Sequence, residues 1–179
     1  MRDYYKHIYE GGFVKYPNEI GLYTILGHAD KKKDREPWME AEKTYEDYCV
    51  TSASLDVYRS LFQHRNTNSE HAHFEKAWPA QRSLQLELAM SDGTLRKHIK
   101  ILERVGLLDV FRTHKFRKPF HIYSFPTPLS IEDFRSRFPV ACKKYEEAMK
   151  ILEKIREEEA EIYGMPQKED EIDAMIGRL

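Results

Sequence analysis

The stretch from Trp78 to Leu108 constrains the fold of this chain more than any other part of the sequence. Pro79 suits the first turn of a helix, and Ser91 is well placed to cap a second one before the chain reaches Gly106. Apolar residues recur at helical spacing in both runs, as Leu84 and Leu88, then as Leu95, Ile99 and Leu102. The pattern therefore predicts two short helices joined by a tight turn at residues 89–91.

The outward face of the second helix is basic. With its three apolar residues facing inward, Arg96, Lys97, Lys100 and Arg104 point away from the core. A basic helix after a short helix and a tight turn is typical of a recognition helix in the major groove of DNA. The charges alone favour a plain solvated face instead. The candidate DNA-binding residues of this helix and its start are Ser91, Asp92, Gly93, Thr94, Arg96, Lys97, Lys100 and Arg104.

A β-hairpin is predicted directly after these helices. Residues 107–113 and 120–125 are two β-rich runs, and they flank a basic loop. Hairpins that follow a recognition helix with basic residues at the tip act as wings, which contact phosphates or enter the minor groove. The alternative is that the lysines only keep the hairpin edge soluble. Lys115, Arg117 and Lys118 are the candidate DNA-binding residues of the wing.

Residues 54–125 resemble the winged helix-turn-helix domains of plasmid, phage and mobile-element replication initiators and related regulators of Gram-positive bacteria. The resemblance rests on the helix 55–62, Trp78-Pro79, Leu84, Leu88, Ser91, Thr94-Leu95-Arg96, Leu102-Glu103, Gly106-Leu107-Leu108 and Ile122-Tyr123. It implies a winged-helix fold and DNA binding without fixing the biological task. Replication initiators of this family are usually longer than this chain and carry a further domain. The resemblance therefore favours a regulator or a partition adaptor over an initiator.

Three residues depart from the family pattern. Ala80 stands where the family usually has a capping Ser or Thr, so the first helix of the pair is expected to fray or to start earlier. Gln85 replaces a small residue and Ala89 replaces a glycine, which predicts slightly wider spacing of the two helices. None of these changes touches the basic face.

The distribution of charge agrees with a nucleic-acid surface in the middle of the chain. The formal net charge is -1, but residues 79–130 hold 9 Lys and Arg against 4 Asp and Glu. Residues 1–78 hold 11 against 13, and residues 131–179 hold 9 against 13. Local charge decides attraction to phosphates, because more distant charges are screened by salt.

Three ranges are expected along the chain. Residues 1–50 form an N-terminal extension that packs on the core, 51–128 form the winged-helix domain, and 129–179 form a C-terminal helical region. In the extension, Phe13 to Tyr16 predict a short strand. Two helices should follow there, one from Asn18 with Leu22, Ile25 and Leu26 on one side, and one from Pro37 carrying Trp38, Ala41 and Tyr45. Residues 31–37 between them are expected to form a solvated loop, which a lysine run also makes a candidate nucleic-acid arm.

Helix starts and a heptad seam are the main signals in the rest of the chain. Ser54 is expected to cap a core helix, and Ser130 begins a capping box. From Val140 to Tyr163 the positions 141, 145, 148, 152, 155, 159 and 162 form a heptad seam that includes Glu159. The seam either packs on the protein's own body or forms a homodimer, with Tyr145, Ala148, Leu152, Ile155 and Ile162 as the dimerisation candidates. The acidic tail 164–179 is either frayed or binds a protein partner.

Several other functional classes are disfavoured. No phosphate-binding loop, nucleophile elbow or paired metal ligands occur in the sequence, so neither an enzyme nor a cofactor is expected. A zinc site built from Cys49, His64, His71 and His73 fits no recurrent spacing, so no metal is expected. No apolar run is long enough for a membrane span, which favours a cytoplasmic, nucleoid-associated protein with no membrane partner.

The sequence therefore predicts a mainly α protein with a small β-hairpin, a winged helix-turn-helix with an N-terminal extension and a C-terminal helix. The predicted function is sequence-specific binding of double-stranded DNA, as a dimeric transcriptional regulator of a plasmid, phage or mobile element. One alternative is a replication-initiation or DNA-partition protein that binds an origin or a centromere-like site. A further alternative is a winged helix used only for protein-protein contacts.

Overall fold

The computed structural model describes residues 17–115 and 118–163, which are mainly helical with one small antiparallel hairpin. A long 3₁₀-helix and a short 3₁₀-helix come first, at Asn18–His28 and Tyr45–Asp47. The remaining elements in chain order are α1 (Ser52–Gln63), α2 (Gln81–Glu87), α3 (Asp92–Arg104), β1 (Asp109–Lys115), β2 (Lys118–Ser124), α4 (Ile131–Arg137) and α5 (Pro139–Tyr163). The predicted strand at Phe13 to Tyr16 lies outside the described residues.

The long 3₁₀-helix buries one residue in three. The buried residues are Ile20, Tyr23 and Leu26, followed by Ala29 just after the helix, whereas Leu22 and Ile25 are only partly buried. This spacing matches the three residues per turn of a 3₁₀-helix, in which side chains three apart lie above one another. The prediction of an α-helix with Leu22, Ile25 and Leu26 on its inner side was therefore wrong about the period, and it identified only Leu26 among the fully buried residues.

The cap of α1 is Thr51 rather than the predicted Ser54. The Thr51 hydroxyl accepts a hydrogen bond from the Ser54 backbone N–H at 3.3 Å, and the Ser54 hydroxyl accepts one from the Thr51 N–H at 3.2 Å. This reciprocal pair is a capping box in which Ser54 occupies the third helical position. The predicted core face of α1 is confirmed, because Val57, Tyr58 and Leu61 are fully buried.

The predicted pair of helices forms around a tight turn. Leu84, Leu95, Ile99 and Leu102 are buried, and the Ser91 hydroxyl caps α3 by accepting the Thr94 N–H at 3.2 Å. Pro79 lies before α2 instead of in its first turn, and Ala80 at the N-cap position forms no side-chain cap. The helix starts at Gln81 and is 7 residues long, so the earlier start expected from Ala80 was wrong.

The hairpin pairs in register from Asp109 with Ser124 to Lys115 with Lys118. Its strands extend closer to the tip than predicted, and only residues 116–117 separate them. Leu107 and Leu108 are fully buried before β1 begins. An isolated antiparallel bridge joins Ala77 to Tyr123 of β2, which adds one backbone pairing from the segment between α1 and α2 to the sheet.

The predicted solvated loop at residues 31–37 contains a buried carboxylate. Glu36 is 2% exposed, and its Oε1 accepts hydrogen bonds from the Tyr45 hydroxyl and, at 3.0 Å, from the Val140 N–H. Val140 lies in the first turn of α5, where a negative charge is favoured by the unpaired N–H groups and the helix dipole. The predicted helix from Pro37 is absent from this described segment, where turns precede the short 3₁₀-helix.

The C-terminal helices pack against the N-terminal extension. The Ser130 hydroxyl caps α4 as predicted, by accepting the Asp133 N–H at 3.1 Å. The Tyr23 ring lies edge-on to Phe134 with centroids 5.2 Å apart, and the Trp38 indole N–H donates to the Arg137 carbonyl at 2.6 Å. The buried cluster includes residues from all three predicted ranges, so the boundaries at 50 and 128 do not separate independent cores. None of the described helices is long and apolar enough to span a bilayer.

Candidate nucleic-acid interface

The outward face of α3 carries exposed polar and basic side chains, as predicted from its spacing. Leu95, Ile99 and Leu102 hold the helix to the core. On the other side, the exposed residues of α3 and its N-cap are Ser91, Gly93, Thr94, Arg96, Lys97 and Lys100. A hydrogen bond of 2.9 Å between Ser54 Oγ and His98 Nδ1 further fixes α3 against α1. The position of α3 is therefore fixed by its packing against the core, with its basic side chains on the exposed side.

Carboxylates neutralise some of these cations. Arg96 forms an ion pair of 2.9 Å with Asp92 one turn earlier, and Asp92 also accepts a hydrogen bond from the Gln85 amide of α2 at 3.0 Å. Within the described residues, neither Lys97 nor Lys100 forms an ion pair. These two lysines are therefore the cations of α3 most accessible to an anionic ligand.

Arg104 differs from its predicted exposure. The side chain is only 32% exposed, and it forms an ion pair with Asp47 of the short 3₁₀-helix. It also donates a hydrogen bond to the Asp47 backbone carbonyl at 3.4 Å. Arg104 was expected to point into solvent with the other cations, but it joins α3 to the N-terminal extension because an acidic residue of that extension packs beside it.

A cleft of about 430 Å³ lies between α3 and the short 3₁₀-helix. One wall consists of Glu46 and Asp47, and the other consists of Gly93, Arg96, Lys97, Lys100, Ile101 and Arg104 of α3. Cys49 is buried nearby, and burial raises the pKa of its thiol although Lys97 acts in the opposite direction. The basic face of α3 therefore has an acidic margin on the side of the extension.

The other margin of α3 is the hairpin. Arg112 of β1 forms two hydrogen bonds of 2.8 and 2.6 Å with the Glu103 carboxylate of α3, which raises the pKa of Arg112. Burial lowers the pKa of His121, and the positive charges of Arg112 and Arg96 lower it further. The Arg112–Glu103 pair therefore joins the hairpin to one side of α3.

The hairpin tip is described only in part. Lys115 and Lys118 face each other in the strand register, directly beside residues 116–117. The side chains of these two lysines are not described, and Arg117 lies outside the described residues. The backbone thus agrees with the predicted location of Lys115 and Lys118 near the tip, whereas the predicted contacts of all three side chains stay predictions.

The acidic margin had no local signal in the sequence. Asp47 and Arg104 are 57 positions apart, and neither belongs to a recognisable motif with the other. The same is true of Ser54 and His98, which are 44 positions apart. An acidic stretch at residues 46–47 beside a basic helix face can be recognised only once the extension is folded onto α3.

The predicted dimerisation residues separate into two groups along α5. Ala141, the first residue of the seam, is fully buried, and the Tyr145 ring packs edge-on against His28 at 5.0 Å. Tyr145 thus makes an intramolecular contact. Ala148 and Leu152 are half-buried, whereas Ile155 and Ile162 are exposed. The beginning of the seam therefore packs on the protein's own body, whereas its end is exposed within the part of the chain that the structure describes. The acidic tail lies outside that part.

The residues weighed for a zinc site have other contacts. His64 Nε2 lies 3.0 Å from a carboxylate oxygen of Glu87, and the His71 ring stacks on Trp78 at 5.6 Å. His73 packs edge-on against the same indole at 5.5 Å. Among residues 17–115 and 118–163, no group of three or more His, Cys, Asp and Glu side chains is arranged to bind a metal ion.

No protein-family model, no curated protein sequence and no solved structure matches this chain.

Proposed function

We propose that this protein binds double-stranded DNA with sequence specificity, through a winged helix-turn-helix whose recognition helix is α3. In this proposal the protein is a dimeric transcriptional regulator of a plasmid, phage or mobile element. It is located in the cytoplasm, at the nucleoid. The observation that carries the proposal is the outward face of α3, where Lys97 and Lys100 are exposed and unpaired within the described residues.

The order of the elements supports this assignment. The chain runs from α1 through the Ala77 bridge to α2, then through a tight turn to α3 and into the β1-β2 hairpin. A helix, an isolated bridge residue, two helices and a hairpin follow one another in the order that the proposed winged helix requires. The hairpin beside α3 has the position of a wing, and Lys115 and Lys118 lie next to its tip.

The residues on α3 suit the two kinds of contact that such a helix makes. Arg96 and Lys97 lie in its first half, where base edges are usually read, and Lys100 lies one turn further on. Thr94 and the cap Ser91 lie at the helix start, where hydroxyl groups and backbone N–H groups bind phosphates. Arg104 is left out of this proposed interface as long as Asp47 holds it.

A second candidate function is a winged helix that binds only a protein. Arg96, Arg104 and Arg112 are paired with Asp92, Asp47 and Glu103. A surface on which carboxylates neutralise the arginines suits the polar rim of a protein interface. This candidate predicts weak DNA binding with little dependence on salt.

Replication initiation and DNA partition require the same DNA contacts, so the location of the bound site distinguishes them from regulation.

The test is selection of binding sites from a randomised duplex pool, followed by affinity measurements at several salt concentrations. We expect enrichment of an inverted repeat. Lys97→Ala combined with Lys100→Ala should abolish specific binding and reduce the slope of log K against log salt by about 1.8, since each phosphate contact contributes about 0.9. Both lysines are exposed, so the fold should be unchanged, as circular dichroism will report.

The matched control is Arg59→Ala combined with Lys76→Ala. These residues are also exposed and lie outside α3 and the hairpin. Their substitution removes the same total charge as that of Lys97 and Lys100. The control should bind the selected site with nearly unchanged affinity. A folded Lys97/Lys100 variant that binds as tightly as the control would remove α3 as the recognition helix, and absence of salt-sensitive binding by the original protein would favour the protein-contact function.

A further inference from the structure

Arg96 is paired through only one side of its guanidinium group. Its Nε lies 2.9 Å from Oδ2 of Asp92, which is one turn earlier in α3. Among the described residues, the two terminal nitrogens of Arg96 form no hydrogen bond or ion pair. The side chain is 61% exposed, so a ligand can reach its terminal end. The ion pair therefore leaves unused the edge of the guanidinium on which two nitrogens donate side by side.

Asp92 is itself held in place from α2. Its other oxygen, Oδ1, accepts a hydrogen bond from the Gln85 amide at 3.0 Å, and the Gln85 carbonyl oxygen accepts one from Arg82 at 3.4 Å. The carboxylate thus connects the two helices on either side of the tight turn. An exposed ion pair contributes little to stability, because it is solvated and costs side-chain entropy. The main consequence of this arrangement is therefore the orientation of Arg96.

We propose that Arg96 reads a guanine in the major groove and that Asp92, held by Gln85, is the residue that positions it. Guanine presents two acceptors, O6 and N7, on its major-groove edge, and the terminal nitrogens of an arginine can donate to both at once. An arginine that is already held loses less conformational entropy on binding than a free one. This inference rests on the proposed function, and it assigns a guanine to one base pair of each half-site.

The lysines on the same face suit a different contact. Lys97 and Lys100 form no ion pair within the described residues, so neither is held in one orientation by a carboxylate. An ammonium group is a point charge on a flexible stem, which matches a phosphate in any DNA sequence. Arg96 is therefore the cation of α3 whose removal should change the preferred base.

The negative charge of Asp92 has a second effect on DNA. A carboxylate at the start of α3 repels the phosphates of every sequence, whereas the guanine contact of Arg96 offsets this repulsion only at the preferred site. Asp92 should therefore weaken binding to unrelated DNA and strengthen the discrimination between bases. An ion pair one turn apart that only stabilised the helix would affect all DNA sequences equally.

The base contact is tested with the selected duplex and with duplexes in which each base pair of one half-site is changed in turn. The original protein should prefer guanine at one base pair by about 5- to 150-fold, the range for a bidentate contact. Arg96→Ala should abolish this preference at that base pair alone. Replacement of this guanine by 7-deazaguanine, which lacks N7, should weaken binding of the original protein by about fivefold, the effect of one lost hydrogen bond. The same replacement should leave binding of Arg96→Ala unchanged.

The positioning role is tested by Asp92→Ala. This variant should bind unrelated DNA more tightly, because a negative charge is removed. Its preference for guanine at the same base pair should nevertheless fall by about 2- to 10-fold, which corresponds to the entropic cost of ordering one long side chain. Loss of discrimination together with a gain in general affinity is an effect that a merely structural role of Asp92 would not produce.

The matched control is Glu46→Ala. Glu46 lines the cleft beside α3, is exposed, and forms no ion pair with Arg96 within the described residues. Its removal takes away the same charge, so affinity should rise for all sequences alike while the guanine preference stays unchanged. Circular dichroism should report an unchanged fold for all three variants, because the substituted side chains are largely exposed.

The outcomes separate this inference from the proposed function. A folded Arg96→Ala protein that keeps the guanine preference would overturn the base contact. A preference that survives Asp92→Ala, or that falls equally in Glu46→Ala, would overturn the positioning role. Either result, with steeply salt-dependent and sequence-selective binding by the original protein, would leave the proposed function intact. Absence of salt-sensitive DNA binding by the original protein would overturn both.

Discussion

Ala89 and Gly106 occupy the same position at the ends of successive helices. Ala89 follows α2 with a φ of 51°, and Gly106 follows α3 with a φ of 83°. In both cases the next N–H reaches back five residues, from Met90 to Gln85 at 3.0 Å and from Leu107 to Leu102 at 2.9 Å. This is the Schellman arrangement, which requires left-handed backbone and usually contains glycine. Alanine at this position costs about 1 kcal/mol or more.

Ala89→Gly should therefore raise the free energy of unfolding by about 1 kcal/mol, because glycine removes the steric strain of the left-handed conformation. The reverse change, Gly106→Ala, is the matched control. An added Cβ at Gly106 meets nothing within 4 Å, so its cost is conformational, and it should lower the free energy of unfolding by about the same amount. Urea unfolding of both variants measures the two effects. An Ala89→Gly protein less stable than the original would contradict the strain argument.

The elements of this protein differ in how far the sequence predicted them. Both α2 and α3 were predicted from signals that act within a few residues. These signals are the cap Ser91 and the helical spacing of Leu84, Leu95, Ile99 and Leu102. The hairpin followed from two β-rich runs for the same reason. The N-terminal extension was predicted poorly, since its 3₁₀ period and the burial of Glu36 depend on α4 and α5, which come much later in the chain.

The candidate interface shows the same division. The exposed positions of α3 follow from helical spacing, so Arg96, Lys97 and Lys100 were identified correctly as exposed. The pairing of Arg104 with Asp47 could not be predicted, because it requires the short 3₁₀-helix to pack beside α3. At the scale of single elements, therefore, the sequence predicts which side of α3 is exposed but not which of its cations are neutralised.

Asp47→Asn tests the effect of this acidic margin. Loss of the carboxylate releases Arg104 from its ion pair, so DNA affinity should increase a few-fold and the salt dependence should steepen by about 0.9, the value for one phosphate contact. Fluorescence anisotropy with the selected duplex at several salt concentrations measures both quantities.

Glu46→Gln is the control for this change. It removes the same charge from the neighbouring residue, which lines the same cleft but forms no ion pair with Arg104 within the described residues. If the two variants increase DNA affinity equally, release of Arg104 does not contribute to the increase. The increase is then explained by the loss of one negative charge that repels DNA.

At the scale of the whole molecule, the extension and the C-terminal helices belong to one core. Phe134, Phe138 and Ala141 are almost fully buried, and Glu36 of the extension binds the start of α5. Removal of a buried phenylalanine side chain typically costs about 3–5 kcal/mol, which is a large part of the total stability of a domain of this size.

A chain that ends after Ser130 should therefore fail to fold, whereas a chain that ends after Lys150 should unfold cooperatively as a monomer. The shorter chain lacks the buried Phe134 and Phe138, whereas the longer one lacks only the acidic tail and the end of α5, where Ile151, Ile155 and Ile162 are exposed. Circular dichroism with urea unfolding distinguishes the two. Cooperative unfolding of the shorter chain near the original midpoint would show that residues 1–130 form a core that does not need α4 and α5.

The arrangement of α3 also affects how this protein can change over generations. The buried residues that attach the helix to the core, Leu95, Ile99 and Leu102, are interspersed with exposed ones on the outward face. Substitutions at exposed positions usually change stability by less than about 0.5 kcal/mol. Mutations at Gly93, Thr94, Lys97 or Lys100 are therefore nearly neutral for folding. A lineage can accumulate them and acquire a new ligand preference while keeping an intact scaffold.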